Sequence, residues 1–136
     1  MWEPFTASAR HTIVRAKEVA QLFGCTEVDT PHVAFALAEG DDDVGRVFAV
    51  ALDRDAIRDR LGTAQGEPGS EMVFSADTKR IVASAFAEAR KLNHNFIGSA
   101  HIALAVLDLD DPPPLAAGAD AGALRAELAR AAEAQA

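Results

Sequence analysis

The side chains of this chain that could ligate a metal or attack a substrate are few. They are His11, His32, His94 and His101, the single Cys25, and two acidic runs, Glu39 to Asp43 and Asp108 to Asp111. Metal chemistry on a helix needs two ligands three or four residues apart, so that both project from one face, and no two of these histidines have that spacing. The acidic runs lack the alternating ligands and the central glycine of a calcium loop and read as solvated loops close to helix starts. One cysteine excludes an intrachain disulfide, and Cys25 reads as a small buried hydrophobe rather than a reactive thiol. No nucleophile–base pair can be assembled, so the expectation is a protein that is not an enzyme and uses no metal or cofactor.

The histidines acquire a different meaning once the chain is laid against itself at an offset of 69 residues. His32 then falls on His101, Phe5 on Phe74, Thr6 on Ser75, Arg10 on Lys79, Ile13 on Val82, Ala16 on Ala85, Ala20 on Ala89 and Val33 on Ile102. The pairs preserve capping, small and apolar positions, which two copies of one packing unit would keep. Thr6 and Ser75 suit helix N-caps, and Ala9, Ile13, Ala16, Ala20 and Phe23 recur at the spacing of one helical face. Thr30 with Pro31, and Ser99 in the matching place, are expected to cap a second helix whose residues, Val33 to Ala38 and Ile102 to Leu107, are apolar all round and hence centrally buried. His32 and His101 then stand just inside helix starts, where an imidazole can bond the preceding loop. Two more helices are expected over Asp42–Val50 and Asp53–Leu61. In the second copy, Pro112 to Pro114 leave room for a short third helix before an Ala-rich last one begins at Asp120.

The expected fold is therefore all-α, one domain over 1–136 made of repeat one at 5–62, a Gly/Pro/Ser linker at 63–73 and repeat two at 74–136. With 49% hydrophobic residues the chain of 136 can build a core, and its formal net charge of -8 disfavours nucleic acid or an anionic membrane as partner. No apolar run approaches the roughly 20 residues of a membrane helix, and the first residues lack a signal-like apolar stretch, which points to the cytoplasm.

The pattern Phe5-Thr6 with Ala9-Arg10, the stretch Asn93-His94-Asn95-Phe96-Ile97-Gly98 and the two helix-opening histidines resemble the amino-terminal domain of the Clp ATPases, especially the ClpC type. The resemblance covers almost the whole chain and implies two four-helix repeats related by a pseudo-twofold, with a role in recognising substrates, adaptors or regulators. A full Clp ATPase would continue into nucleotide-binding modules. No GxxxxGK[ST] stands in this sequence, so the reading favours a protein without them over an excised domain.

Each first helix carries a net charge of +2, from Arg10, Arg15 and Lys17 against Glu18, and from Lys79, Arg80, Arg90 and Lys91 against Asp77 and Glu88. The pseudo-twofold would set Arg10 and Lys79 about a shared groove. By the same resemblance, this groove docks adaptors and Clp-directed cyclic peptides, which gives Trp2, Arg10, Val14, Phe74, Lys79 and Ala83 as candidate ligand-binding residues. The expected partners are a peptide or cyclic peptide, or a Clp ATPase, adaptor or substrate. Phosphoarginine pockets, which the resemblance also implies, require a carboxylate before each helix-opening histidine. Pro31 and Ala100 stand there instead, so weakened phosphoarginine recognition is expected.

Overall fold

The computed structural model describes residues 4–40, 42–61, 73–109, 115–116 and 118–134. Helix α1 (Ala7–Leu22) begins where the Thr6 hydroxyl accepts the Ala9 N–H at 3.2 Å, and α5 (Ala76–Lys91) begins where Ser75 does the same for Thr78 at 3.1 Å. Both helices are 16 residues long and start 69 apart. Each is followed by a left-handed residue, Gly24 at φ 72 and Asn93 at φ 60, glycine and asparagine being the residues that tolerate this region. The chain then turns into α2 (Thr30–Ala38) and α6 (Ser99–Leu107), and these are the centre of the fold: Val33, Ala34, Ile102 and Ala103 are all fully buried.

The caps of these central helices lie one residue earlier than the sequence suggested. Asp29, not Thr30, is the N-cap of α2, its carboxylate accepting the Thr30 N–H at 2.8 Å, and Gly98 takes the same place before α6. Thr30 and Ser99 are already helical and buried. The Ser99 hydroxyl donates to Asp42 Oδ2 at 3.2 Å instead of capping its own helix.

Helices α3 (Asp43–Ala51) and α4 (Arg54–Leu61) complete the first repeat, with Val44, Phe48 and Ile57 driven into the core. Asp42 caps α3 through the Gly45 N–H at 2.9 Å. The second repeat ends in α7 (Ala121–Ala134), whose four-residue spacing of Leu124 and Leu128 buries one stripe on α6 and α3. Seven helices are present among the described residues; the expected connector residues 63–72 and the short helix at Pro112 to Pro114 lie outside them.

The duplication closes through two matching exchanges of backbone. Strand β1 (Glu27–Val28), after α1, pairs in parallel with β2 (Val73–Phe74), before α5. Phe5, before α1, pairs in parallel with Ile97, after α5. The Ser75 N–H donates to the Val28 carbonyl at 3.0 Å, and its equivalent, the Thr6 N–H, donates to the Ile97 carbonyl at 2.8 Å. Each repeat thus hands its leading segment to the other, and the pseudo-twofold is written in hydrogen bonds. Contacts of α2 with α6, and of each central helix with the other repeat's first helix, fill the seam. No helix among the described residues is long and apolar enough to cross a membrane.

Candidate ligand-binding groove

The exchanged segments hold the starts of α1 and α5 apart at the seam, and the space between them is a cavity of about 300 Å³ lined by Phe5, Ile13, Phe74, Thr78, Lys79 and Val82. Four of the six are pseudo-twofold mates, Phe5 with Phe74 and Ile13 with Val82, so the cavity straddles the axis. The sequence dictates this lining. Thr78, Val82 and Phe86 succeed one another at four-residue intervals and make one stripe along α5, with Phe74 of β2 just before it, as Ala9 and Ile13 do along α1 after Phe5. Phe5 is 6% exposed and meets Phe86 edge to face with ring centroids 5.6 Å apart, which locks the rim at one end.

Of the residues picked from sequence, the structure brings Phe74 and Lys79 together on this cavity. Arg10, Val14 and Ala83 are exposed on α1 and α5 and do not line it, Val14 being 56% exposed. Trp2 lies outside the described residues. Ile13, Thr78 and Val82 line the cavity without having been singled out, although the 69-residue offset already paired Ile13 with Val82. Phe5 is both a core residue and a wall of the site.

His32 and His101 bond the loops that precede their helices, as their positions suggested. The His32 Nδ1 accepts the Asp29 N–H, and the His101 Nδ1 accepts the Gly98 N–H, both at 2.8 Å. That bond leaves the ring proton of each neutral imidazole on Nε2. In repeat two, His101 Nε2 donates to His94 Nδ1 at 2.9 Å, and His94 Nε2 then faces Glu133 at 3.2 Å, linking the α5–α6 loop to α7. The His94 ring also stacks on Phe96, with centroids 4.8 Å apart. The i, i+7 pairing of His94 with His101 was not legible from helical spacing, because a loop and not a helix presents His94.

In repeat one the residue equivalent to His94 is Cys25, and the His32 Nε2 is buried with no hydrogen-bond partner. Burial, followed by the charge of Asp29, pushes the Cys25 thiol up, the condition of an inert cysteine. Burial lowers the pKa of His32; burial and then the nearby His94 lower that of His101 to about 4. No group of three or more potential metal ligands occurs among the described residues.

An all-α domain made of two copies of one helical unit, joined by swapped leading segments and open along the seam of its first helices, defines a class of duplicated repeat domain. The chain belongs to the Clp repeat (R) N-terminal domain family, which matches residues 4–113. It is 28% identical over 113 residues to the uncharacterized protein Rv2667 of Mycobacterium tuberculosis, covering 79% of this chain and 44% of that protein. It is 32% identical over 113 residues to the chloroplastic chaperone protein ClpC1 of Oryza sativa, covering 79% of this chain and 12% of that one. The chain therefore spans less than half the length of these relatives. Among solved structures, the N-terminal domain of ClpD from Arabidopsis thaliana is similar with a TM-score of 0.72 and 23% identity, over 98% of this chain and 97% of that one. The Hsp104 N-terminal domain of Candida albicans is similar with a TM-score of 0.69 and 17% identity, over 93% and 89%.

Proposed function

We propose that this protein is a non-catalytic, cytoplasmic binding protein that takes a peptide-like ligand into the groove between α1 and α5 and thereby modulates or protects Clp proteolysis. The ligand is a Clp substrate or regulator segment, or a Clp-directed cyclic peptide. One observation carries the reading. An apolar cavity lies open on the pseudo-twofold axis, bordered by Lys79 and with Phe74 in its wall, where a folded domain would otherwise close its core.

A thermal-shift screen with Clp-directed cyclic peptides, run beside a pull-down with the Clp ATPase of the same cell, tests it. A ligand that binds only the folded state raises Tm by mass action. Stabilisation without ATPase capture supports uptake of a peptide, whereas capture without stabilisation supports an adaptor that docks on the ATPase or its client. Arg10→Glu combined with Lys79→Glu should abolish the response; full binding by that double variant would put the site elsewhere.

A further inference from the structure

The cations placed along the groove point to the kind of ligand it takes. Carboxylates outnumber cations 21 to 13 in the whole chain. Arg15 takes Glu39 at 2.7 Å, Arg80 takes Asp77 at 3.0 Å, Lys91 takes Glu88 at 3.5 Å and Arg125 takes Asp108 at 2.5 Å. Arg10 and Lys17 on α1 and Lys79 on α5 form no ion pair among the described residues, as Arg58, Arg90 and Arg130 elsewhere do not. Lys79 lines the apolar cavity, and Arg10 and Lys17 stand about one turn on either side of Ile13, which also lines it, so in an acidic protein these three unpaired cations make a local field opposite in sign to that of the whole chain.

Resting on the groove reading above, we infer that the ligand is an acidic peptide segment carrying one large apolar side chain. The apolar side chain enters the cavity against Phe5, Phe74, Ile13 and Val82, and flanking carboxylates meet Lys79, Arg10 and Lys17. The volume fits this division of labour. About 300 Å³ is the lower end of the range for small-molecule sites, enough for one or two side chains of a peptide whose remainder lies outside the cavity. Lys79 belongs to both parts, since a lysine stem can line an apolar wall while its ammonium stays in water.

The two repeats also differ at the ends of the groove, and the difference gives the ligand a direction. Phe86 has Lys17 as its equivalent. Phe5 at the start of α1 meets Phe86 late in α5, so the two helices pass in opposite senses and the pseudo-twofold sets Lys17 at the Phe74 end. One end of the groove holds the Phe5–Phe86 pair, the other Phe74 with Lys17. A segment with its carboxylates on one side of the anchor residue therefore binds in one orientation only.

Fluorescence anisotropy on the whole chain tests this with three labelled peptides that share a central Phe and differ only in flanks of Asp/Glu, Ser or Lys. The acidic peptide should bind about tenfold more tightly than the Ser peptide, the factor that 1.4 kcal/mol supplies, and the Lys peptide most weakly. Raising NaCl from about 50 to about 500 mM should erase most of the acidic advantage, because these cations are exposed and screened. Lys79→Glu and Lys17→Glu, both surface changes that leave the core intact, should each reduce or invert the order. Val82→Trp, which fills the cavity, should weaken all three, with circular dichroism confirming the fold.

Equal binding of all three peptides, still lost in Val82→Trp, would overturn the acidic assignment and leave the groove in place. Binding by none of them, or binding indifferent to Val82→Trp, would overturn both. An oligonucleotide that displaces the acidic peptide as well as unlabelled peptide does would show that the cations read phosphates and would overturn the peptide assignment.

Discussion

Replacing His94 with alanine should cost far more stability than replacing Cys25, although the two residues hold equivalent positions in the duplicated fold. His101 is fully buried, and its Nε2–H has His94 Nδ1 as acceptor at 2.9 Å. Removing that acceptor strands a buried donor, at about 1–3 kcal/mol, and loses the stacked contact with Phe96, worth about 0.5–1.5 kcal/mol. The Glu133 partner is 68% exposed and adds little. The expected loss for His94→Ala is about 2–4 kcal/mol, which in a domain of this size lowers Tm by about 10 °C. Cys25→Ala removes no bond to His32, whose Nε2 has no partner already, and should cost about 1 kcal/mol, the loss of a small core atom. His94→Asn retains an acceptor near the Nδ1 position and should recover about 1 kcal/mol of the deficit. Urea denaturation followed by circular dichroism measures all three. Equal losses in His94→Ala and Cys25→Ala, or no recovery in His94→Asn, would refute the reasoning.

Three further outcomes follow from the same structure. The pKa of His101 is about 4 in the fold against about 6.5 in an unfolded chain, so the unfolded state binds more protons between these values. Stability should fall as pH drops from about 6.5 towards 4 and level off below, by on the order of 3 kcal/mol, with His32 acting in the same direction; an NMR titration placing the His101 ring near 6.5 would contradict this. Thr78→Val removes a buried hydroxyl that donates across the seam to the Val28 carbonyl at 2.8 Å, and should cost about 1–2 kcal/mol in the same urea assay. Gly45→Ala would drive a methyl into the Gly40 backbone, where the α2–α3 turn meets α3, and should cost about 3 kcal/mol or more, or prevent folding, as read by soluble yield and Tm.

Most of the fold was legible because duplication repeats its own signals. A 69-residue offset, two hydroxyl caps, two apolar second helices and two histidines three residues into them are local patterns, and local patterns survive without coordinates. Exact cap positions were not among them. Thr30 and Ser99 are good capping residues, but the helix extends back to them because Asp29 has a better-placed carboxylate and His101 serves Gly98 from within the helix.

Only part of the candidate groove could be read in advance. Charge on the first helices and the pairing of Phe5 with Phe74 are properties of the chain, whereas the cavity is a property of how two strand exchanges space α1 and α5. Arg10, Val14 and Ala83 were chosen by helical position and prove exposed without lining it, while Thr78 lines it because the seam turns that face of α5 inward.

Residue order alone determines which segments become helices and that they come in pairs, since periodicity and capping act over a few residues. Which helix faces which, that His94 closes on His101 across a loop while Cys25 leaves His32 unmatched, and that a hollow remains on the axis are settled only when distant segments meet. Those outcomes depend on packing and on hydrogen bonds between residues far apart in the chain, for which no short stretch of sequence carries a signal.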